Sequence, residues 1–133
     1  MEKYRANDQS LPLPDMGGKV SAALNSPDGS EAFFLDIWRG RANLMKGKLQ
    51  NRARNTIILA RIDFGGAPHR NPDGEEIPCP HLHLYREGYS DRWAYPAPGE
   101  SFTNLDDHWQ VLQDFMRYCN VTKPPFFVRG LFT

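Results

Sequence analysis

An α+β fold is what this sequence predicts: one antiparallel sheet of about five to six strands, backed on one face by a single C-terminal amphipathic helix. Three observations carry the expectation. Apolar and polar residues alternate with the period of a strand in successive runs between residues 31 and 95. Turn signals rich in proline and glycine separate those runs. The period then changes, once, to that of a helix between residues 104 and 120. With 133 residues the chain can bury a core in one domain without disulfide staples.

Residues 1–18, with Pro12, Pro14 and the Gly17-Gly18 pair among scattered charges, read as a flexible N-terminal arm, and 19–133 as the domain. Residues 19–24 fit a short strand or a helical turn. Ser26-Pro27-Asp28-Gly29 is favoured turn chemistry. Residues 31–39 (EAFFLDIWR) read as a strand with Phe33, Leu35 and Ile37 on one face and Phe34, Asp36 and Trp38 on the other. After a connection at Gly40-Arg41-Ala42-Asn43, residues 44–54 set Lys46, Lys48, Gln50, Arg52 and Arg54 against Met45, Gly47, Leu49, Asn51 and Ala53. Residues 56–64 form the most apolar run, in which Ile57, Leu59, Arg61 and Asp63 alternate with Ile58, Ala60, Ile62 and Phe64.

Residues 65–79 read as a long loop or a hairpin end around Asn71-Pro72-Asp73-Gly74. A strand follows, then a turn at Gly88-Tyr89-Ser90-Asp91, then a short strand over 92–95. In the helical stretch Leu105, His108, Trp109, Leu112, Phe115, Met116 and Cys119 form one stripe; Thr103 or Asn104 suits the cap, and Asp106 and Asp107 the first turn. Pro124 and Pro125 break the regular structure, and the apolar tail PFFVRGLF is expected to pack on the sheet or form an edge strand.

An apolar content of 40% with 24% charged residues fits a soluble protein, and no apolar run approaches the length of a membrane span. The N-terminus lacks the apolar core of a signal peptide, so a cytoplasmic location without a membrane partner is expected. Cys79 and Cys119 are expected to be reduced thiols. Net charge is zero but unevenly placed: residues 37–62 hold no acid and the bases Arg39, Arg41, Lys46, Lys48, Arg52, Arg54 and Arg61. That pattern suggests a local surface for RNA or another anionic ligand rather than a general polyelectrolyte. A lysine and arginine stripe on an amphipathic strand is nonetheless more often a solvated face.

The stretch richest in reactive groups is PHLHLYREGYSDRWAYP, residues 80–96. As a strand it places His81, His83, Tyr85 and Glu87 on one side, and Leu82, Leu84 and Arg86 on the other. Histidine, tyrosine and glutamate in succession suit neither a core nor a bare surface. In register, Lys46, Lys48, Gln50, Arg52, Arg61 and Asp63 would share this face. His69 and Arg70 on the 65–79 loop are expected to close over it.

At LDIWRG, KLQNRAR, LARIDFGGAPH, PHRNPDGEEI and the 80–96 segment, the chain resembles a family of uncharacterised small bacterial and prophage-encoded proteins sharing PHxNPDG followed by HxHxYREGYxDxWA. The likeness spans residues 35–98. It implies no reaction.

Three functions remain open on these residues. One is a metal-independent, toxin-like endoribonuclease, with His81, His83, Glu87 and Tyr85 as catalytic groups and Lys46, Lys48, Arg52, Arg61, His69 and Arg86 holding phosphate. A second is a non-enzymatic interaction protein, a phage inhibitor of a host defence complex or a toxin–antitoxin partner, anchored by Trp38, Tyr89 and Tyr95. The third is a metal enzyme. No cofactor is required by the first two; for the third, His81 and His83 at i and i+2 can share a zinc ion, with His69 or Glu87 completing three ligands. Against these stand plain structural roles: Arg61 with Asp63 as an ordinary ion pair, His108 as helix packing, and Trp93, Trp109 and Phe115 as core.

Overall fold

The computed structural model describes residues 1–41 and 46–129. Twelve strands and one helix follow in chain order: β1 (Lys3–Arg5), β2 (Ser10–Pro12), β3 (Lys19–Asn25), β4 (Ala32–Arg39), β5 (Gly47–Ala53), β6 (Ile57–Phe64), β7 (His69–Arg70), β8 (Glu76–Ile77), β9 (His81–Arg86), β10 (Ser90–Pro96), α1 (His108–Tyr118), β11 (Val121–Lys123) and β12 (Phe126–Val128). Eight of them form the main sheet in the order β10-β9-β6-β5-β4-β3-β1-β11, with β12-β2 and β7-β8 as separate two-stranded ribbons.

The α+β reading holds, and the sheet is wider than the five to six strands expected. The added width comes from the chain ends. Residues 1–18, read as an arm, supply β1 and β2; β1 pairs antiparallel with β3 on one side and parallel with β11 on the other. Burial anchors it, because the Lys3 ammonium reaches the Cys119 carbonyl oxygen at 2.7 Å beyond the end of the helix. Residues 19–24, which fitted two structures, belong to β3, paired along its whole length with β4. The tail does form a strand, β12, paired with β2. The expected connection at Ala42 and Asn43, Leu44 and Met45 of the following run, and the last residues of the tail (130–133) lie outside the described residues.

Alternation divides the sheet into two chemically distinct faces. Ala22, Leu24, Phe33, Leu35, Ile37, Leu49, Ala60, Ile62, Phe64 and Leu82 bury one face against Val111, Leu112, Phe115 and Met116 of α1. Leu11, Leu13 and Phe127 bring the β2–β12 ribbon onto the same core. Simple alternation misplaces Leu59. A register shift between β5 and β6 opposite Asn51 and Arg52 lets it pack with the core, and beyond the shift Arg61 and Asp63 stay on the other face. The helix starts later than its stripe suggested. Asp107, not Thr103 or Asn104, is the N-cap, accepting from the backbone of Trp109 and Gln110. Leu105 therefore packs from the preceding turn. Of the expected core aromatics only Phe115 is fully buried; Trp109 and Trp93 are half-buried.

The polar face carries two hydrogen-bonded networks. In the first, Asp36, 0% exposed, accepts from Ser21 Oγ at 2.6 Å, Gln50 Nε2 at 2.7 Å, and Arg52 Nε and Nη2 at 2.8 and 2.9 Å. Ser21, Asp36 and Gln50 lie directly across β3, β4 and β5, and Arg52, opposite Phe34, reaches Asp36 diagonally. The second network, over β6, β9 and β10, is the candidate site.

The 65–79 segment is a hairpin end with its turn at Asn71 to Gly74, where Gly74 has φ +92° and its N–H bonds the Asn71 carbonyl. It also covers the outer edge of the sheet. The Asn71 amide takes both main-chain groups of Ala94, donating from Nδ2 to O at 2.9 Å and accepting from N at 2.8 Å, as a neighbouring strand would. Asn71→Ala leaves both groups buried and unpaired. It should cost roughly 2–3 kcal/mol by urea unfolding, whereas Asn71→Asp, which keeps the acceptor, should cost less.

Candidate metal centre

Strand register builds the site. Arg61 of β6 stands opposite His83 of β9, and Asp63 opposite His81, so four side chains meet on the polar face. His81 and His83 are 3% and 0% exposed. The ring nitrogen Nε2 of each lies beside one carboxylate oxygen, Asp63 Oδ2, at 3.2 Å from His81 and 3.3 Å from His83. One ligand atom from each of the three residues falls within 4.8 Å of the others, the single group of this kind among the described residues.

Hydrogen-bond partners fix the ring protons. His83 Nδ1 is 2.8 Å from the Asp91 carbonyl oxygen, which can only accept, so Nδ1 carries the proton of the neutral ring and Nε2 is bare. That bare nitrogen faces Asp63 Oδ2. Two acceptors at this separation need a cation between them. In the protein alone Arg61 supplies it, with Nη2 at 3.0 Å from His83 Nε2 and 3.4 Å from Asp63 Oδ2, Nε on Asp63 Oδ1 at 3.1 Å and Nη1 on Asp91 Oδ2 at 2.9 Å. His81 Nδ1 is buried with no hydrogen-bond partner, a cost of about 1–3 kcal/mol that a purely structural core seldom retains.

The titration of this group follows from its surroundings. Burial pushes the Asp63 carboxyl up, but its contacts with His83, Arg61 and His81 outweigh it and hold the carboxyl at about 2. Burial pulls His81 below the usual imidazole range, with Asp63 opposing and His83 adding to the depression. Two acid windows result. As pH falls below about 6.5 the unfolded chain protonates its histidines while folded His81 stays neutral, so stability declines. From about 4 toward 2, the depressed Asp63 loses a further contribution of roughly 2–3 kcal/mol that is fully present above that range. Urea midpoints at pH 7, 5 and 3 should fall in both steps, and Asp63→Asn should flatten the second.

The hairpin closes over this face as expected, though only one of its two basic residues takes part. The His69 ring packs edge-on to His83 with centroids 4.6 Å apart, and its Nε2 lies 2.7 Å from the Arg92 carbonyl. Arg70 instead turns to its own hairpin, bonding the Gly74 carbonyl and pairing with Glu76. The ligand atom that groups with those of the two histidines is a carboxylate oxygen of Asp63, and the His69 ring packs beside both histidine rings, with centroids 5.8 Å from His81 and 4.6 Å from His83.

The other expected site residues are scattered. Tyr85 is 48% exposed near the end of β9, and Glu87 is exposed in the turn beyond it, so neither joins the buried histidines. Arg86 stacks on Trp93 at 4.4 Å and on Tyr89. Arg52 is held by Asp36 and Arg61 by its two carboxylates. Lys46 and Lys48 line a cleft of about 380 Å³ together with Trp38, Arg39, Gly66 and Asp63. Asp63 belongs to both, so the cleft adjoins the cluster through that residue. Trp38 is flanked by the ammonium groups of Lys19 and Lys48 at 4.8 and 5.5 Å. His108 packs on Phe64, as its place on the helix suggested. Cys79 and Cys119 are free thiols; burial pushes Cys119 up to about 12, against the opposing influence of Lys3 and Asn51.

The residues that sequence reasoning undervalued are Asp63, Asp91 and Asn71. Asp63 was visible as the partner of Arg61 at i+2 in a strand otherwise without acids. Asp91 contributes a backbone carbonyl as well as a carboxylate, and no side-chain pattern signals the former.

This arrangement defines a class before any relative does: a sheet protein with a buried histidine–carboxylate cluster under a hairpin. The chain belongs to a family of unknown function (DUF6978), which matches residues 1–121. No curated protein and no solved structure matches it. No helix is long and apolar enough to cross a membrane among the described residues.

Proposed function

We propose that this protein is a metal-dependent enzyme of the hydrolytic class, with a zinc-type divalent ion held by Asp63, His81 and His83. The observation that carries the reading is the convergence of two imidazole nitrogens on one carboxylate oxygen at 3.2 and 3.3 Å. Ligand atoms about 2.05 Å from a tetrahedral zinc are separated by about 3.3 Å, the separation of each imidazole nitrogen from Asp63 Oδ2, and the wider spread of up to 4.8 Å across the group would close on binding. The His83 Nδ1–H bond to the Asp91 carbonyl is the kind of support that fixes a ligating tautomer. Three protein ligands leave a fourth position for water or substrate, which is the pattern of catalytic rather than structural zinc. Arg61 gives up its Nη2 contact to the ion while keeping Asp91 through Nη1.

The metal-independent ribonuclease has less support. Its histidines are buried while Tyr85 and Glu87 are exposed, and Arg52 and Arg61 are already neutralised. Tyr89 and Tyr95 are exposed, as an interaction protein would require, but nothing about them identifies a partner.

Protein purified without chelator should carry close to one equivalent of zinc or a similar ion, and Asp63→Asn should carry almost none while remaining folded. Metal-free wild-type protein that stays metal-free after incubation with zinc would end the reading.

A further inference from the structure

The cleft bordered by Asp63 gathers cations that have no carboxylate partner among the described residues. Arg52, Arg61 and Arg70 each have a carboxylate partner. Arg39, Lys46 and Lys48 line the cleft and form no ion pair among the described residues. The Arg39 Nε is buried without any acceptor. Lys48 sits directly across the strand pair from Asp63. The one acid in the lining is Asp63 itself, and its charge is turned to Arg61 and the two histidines.

Three uncompensated cations around a cavity of about 380 Å³ are more than a single carboxylate can satisfy. A dianion matches them, and the volume lies in the range of small-ligand pockets. We propose that this cleft binds the phosphate group of a phosphate monoester and that the protein hydrolyses it. Binding rests on the cleft alone; hydrolysis rests also on the ion site. In the reaction a water oxygen forms a new bond to phosphorus and the bond from phosphorus to the ester oxygen breaks. The bonding pair leaves with that oxygen, which takes a proton originating from the water, giving an alcohol and inorganic phosphate. Lys48 and Arg39 hold the phosphoryl oxygens, whose negative charge the cleft complements.

The test measures inorganic phosphate binding by calorimetry and p-nitrophenyl phosphate turnover, on zinc-treated and metal-stripped protein, with zinc stoichiometry determined for each sample. Zinc-loaded wild type is expected to bind phosphate and release nitrophenol. A Lys46→Gln/Lys48→Gln double variant, altered only at exposed positions, should lose at least about tenfold in phosphate affinity with zinc stoichiometry unchanged. Arg39→Gln should weaken phosphate similarly. Zinc-loaded protein that binds no phosphate up to about 10 mM overturns the cleft assignment and leaves the ion site standing. Phosphate binding by protein that takes up no zinc supports the cleft and overturns the ion site, and hydrolysis with it. An unchanged affinity in the double variant also overturns the assignment.

Discussion

Replacing His83 with alanine is expected to weaken zinc binding by at least about 100-fold, more than the 10–100-fold typical of losing a group that merely supports a ligand. The same loss should appear in stability. A ligand present at about 1,000 times its dissociation constant stabilises the folded state by about 4 kcal/mol, which for a domain of this size raises Tm by on the order of 10 °C. Wild-type protein should show that rise on adding zinc; His83→Ala should not. Because His83 is fully buried, its removal also leaves a cavity and an unpaired Asp91 carbonyl, so the variant's metal-free Tm will fall as well. Asp63→Asn separates the two effects. It keeps the shape and a hydrogen-bonding group, and should lose the zinc response with a smaller baseline change.

Asp36→Ala should be the most damaging single change on the polar face for stability, at about 3–5 kcal/mol in urea unfolding. The carboxylate is fully buried and satisfies Ser21, Gln50 and both forks of Arg52. Without it the Arg52 guanidinium is left beside the Phe34 ring with no counter-charge. The partners together hold the Asp36 carboxyl below the usual range although burial pushes it up. Combining Asp36→Ala with Arg52→Met should recover part of the loss, because the uncompensated charge goes with it. This network lies over β3 to β5 and, among the described residues, shares no hydrogen bond with the histidine cluster. Zinc affinity in a folded double variant should therefore stay within about threefold of wild type.

Much of the fold is written locally. The alternation in β4, β5 and β9 and the helical stripe around Leu112 and Phe115 follow from side-chain period, and both are visible in one segment at a time. What was not legible depends on distant pairing. β1 is three residues long and β11 likewise; β1 is a strand because β3 and β11 lie on either side of it, and β11 because β1 lies beside it. Leu59 changes face because of a register shift that no local pattern records. The site shows the same division. His81 and His83 stand out by composition, and the hairpin by its turn residues. The identity of the third converging group depends on whether β9 pairs with β6 so that Asp63 faces His81. Had the register slipped by two residues, Arg61 would have faced His81 instead, and the chemistry would have been an ordinary cation beside an imidazole.

Zinc titration of metal-stripped protein, followed by long-range proton–nitrogen spectra of the four histidine rings, tests the central claim most directly. One equivalent of zinc is expected to move the Nε2 signals of His81 and His83 to metal-bound positions, leaving Nδ1 of His83 protonated and His108 unchanged. Saturation without any change at His81 and His83, or coordination through His69 and His108 instead, would contradict it.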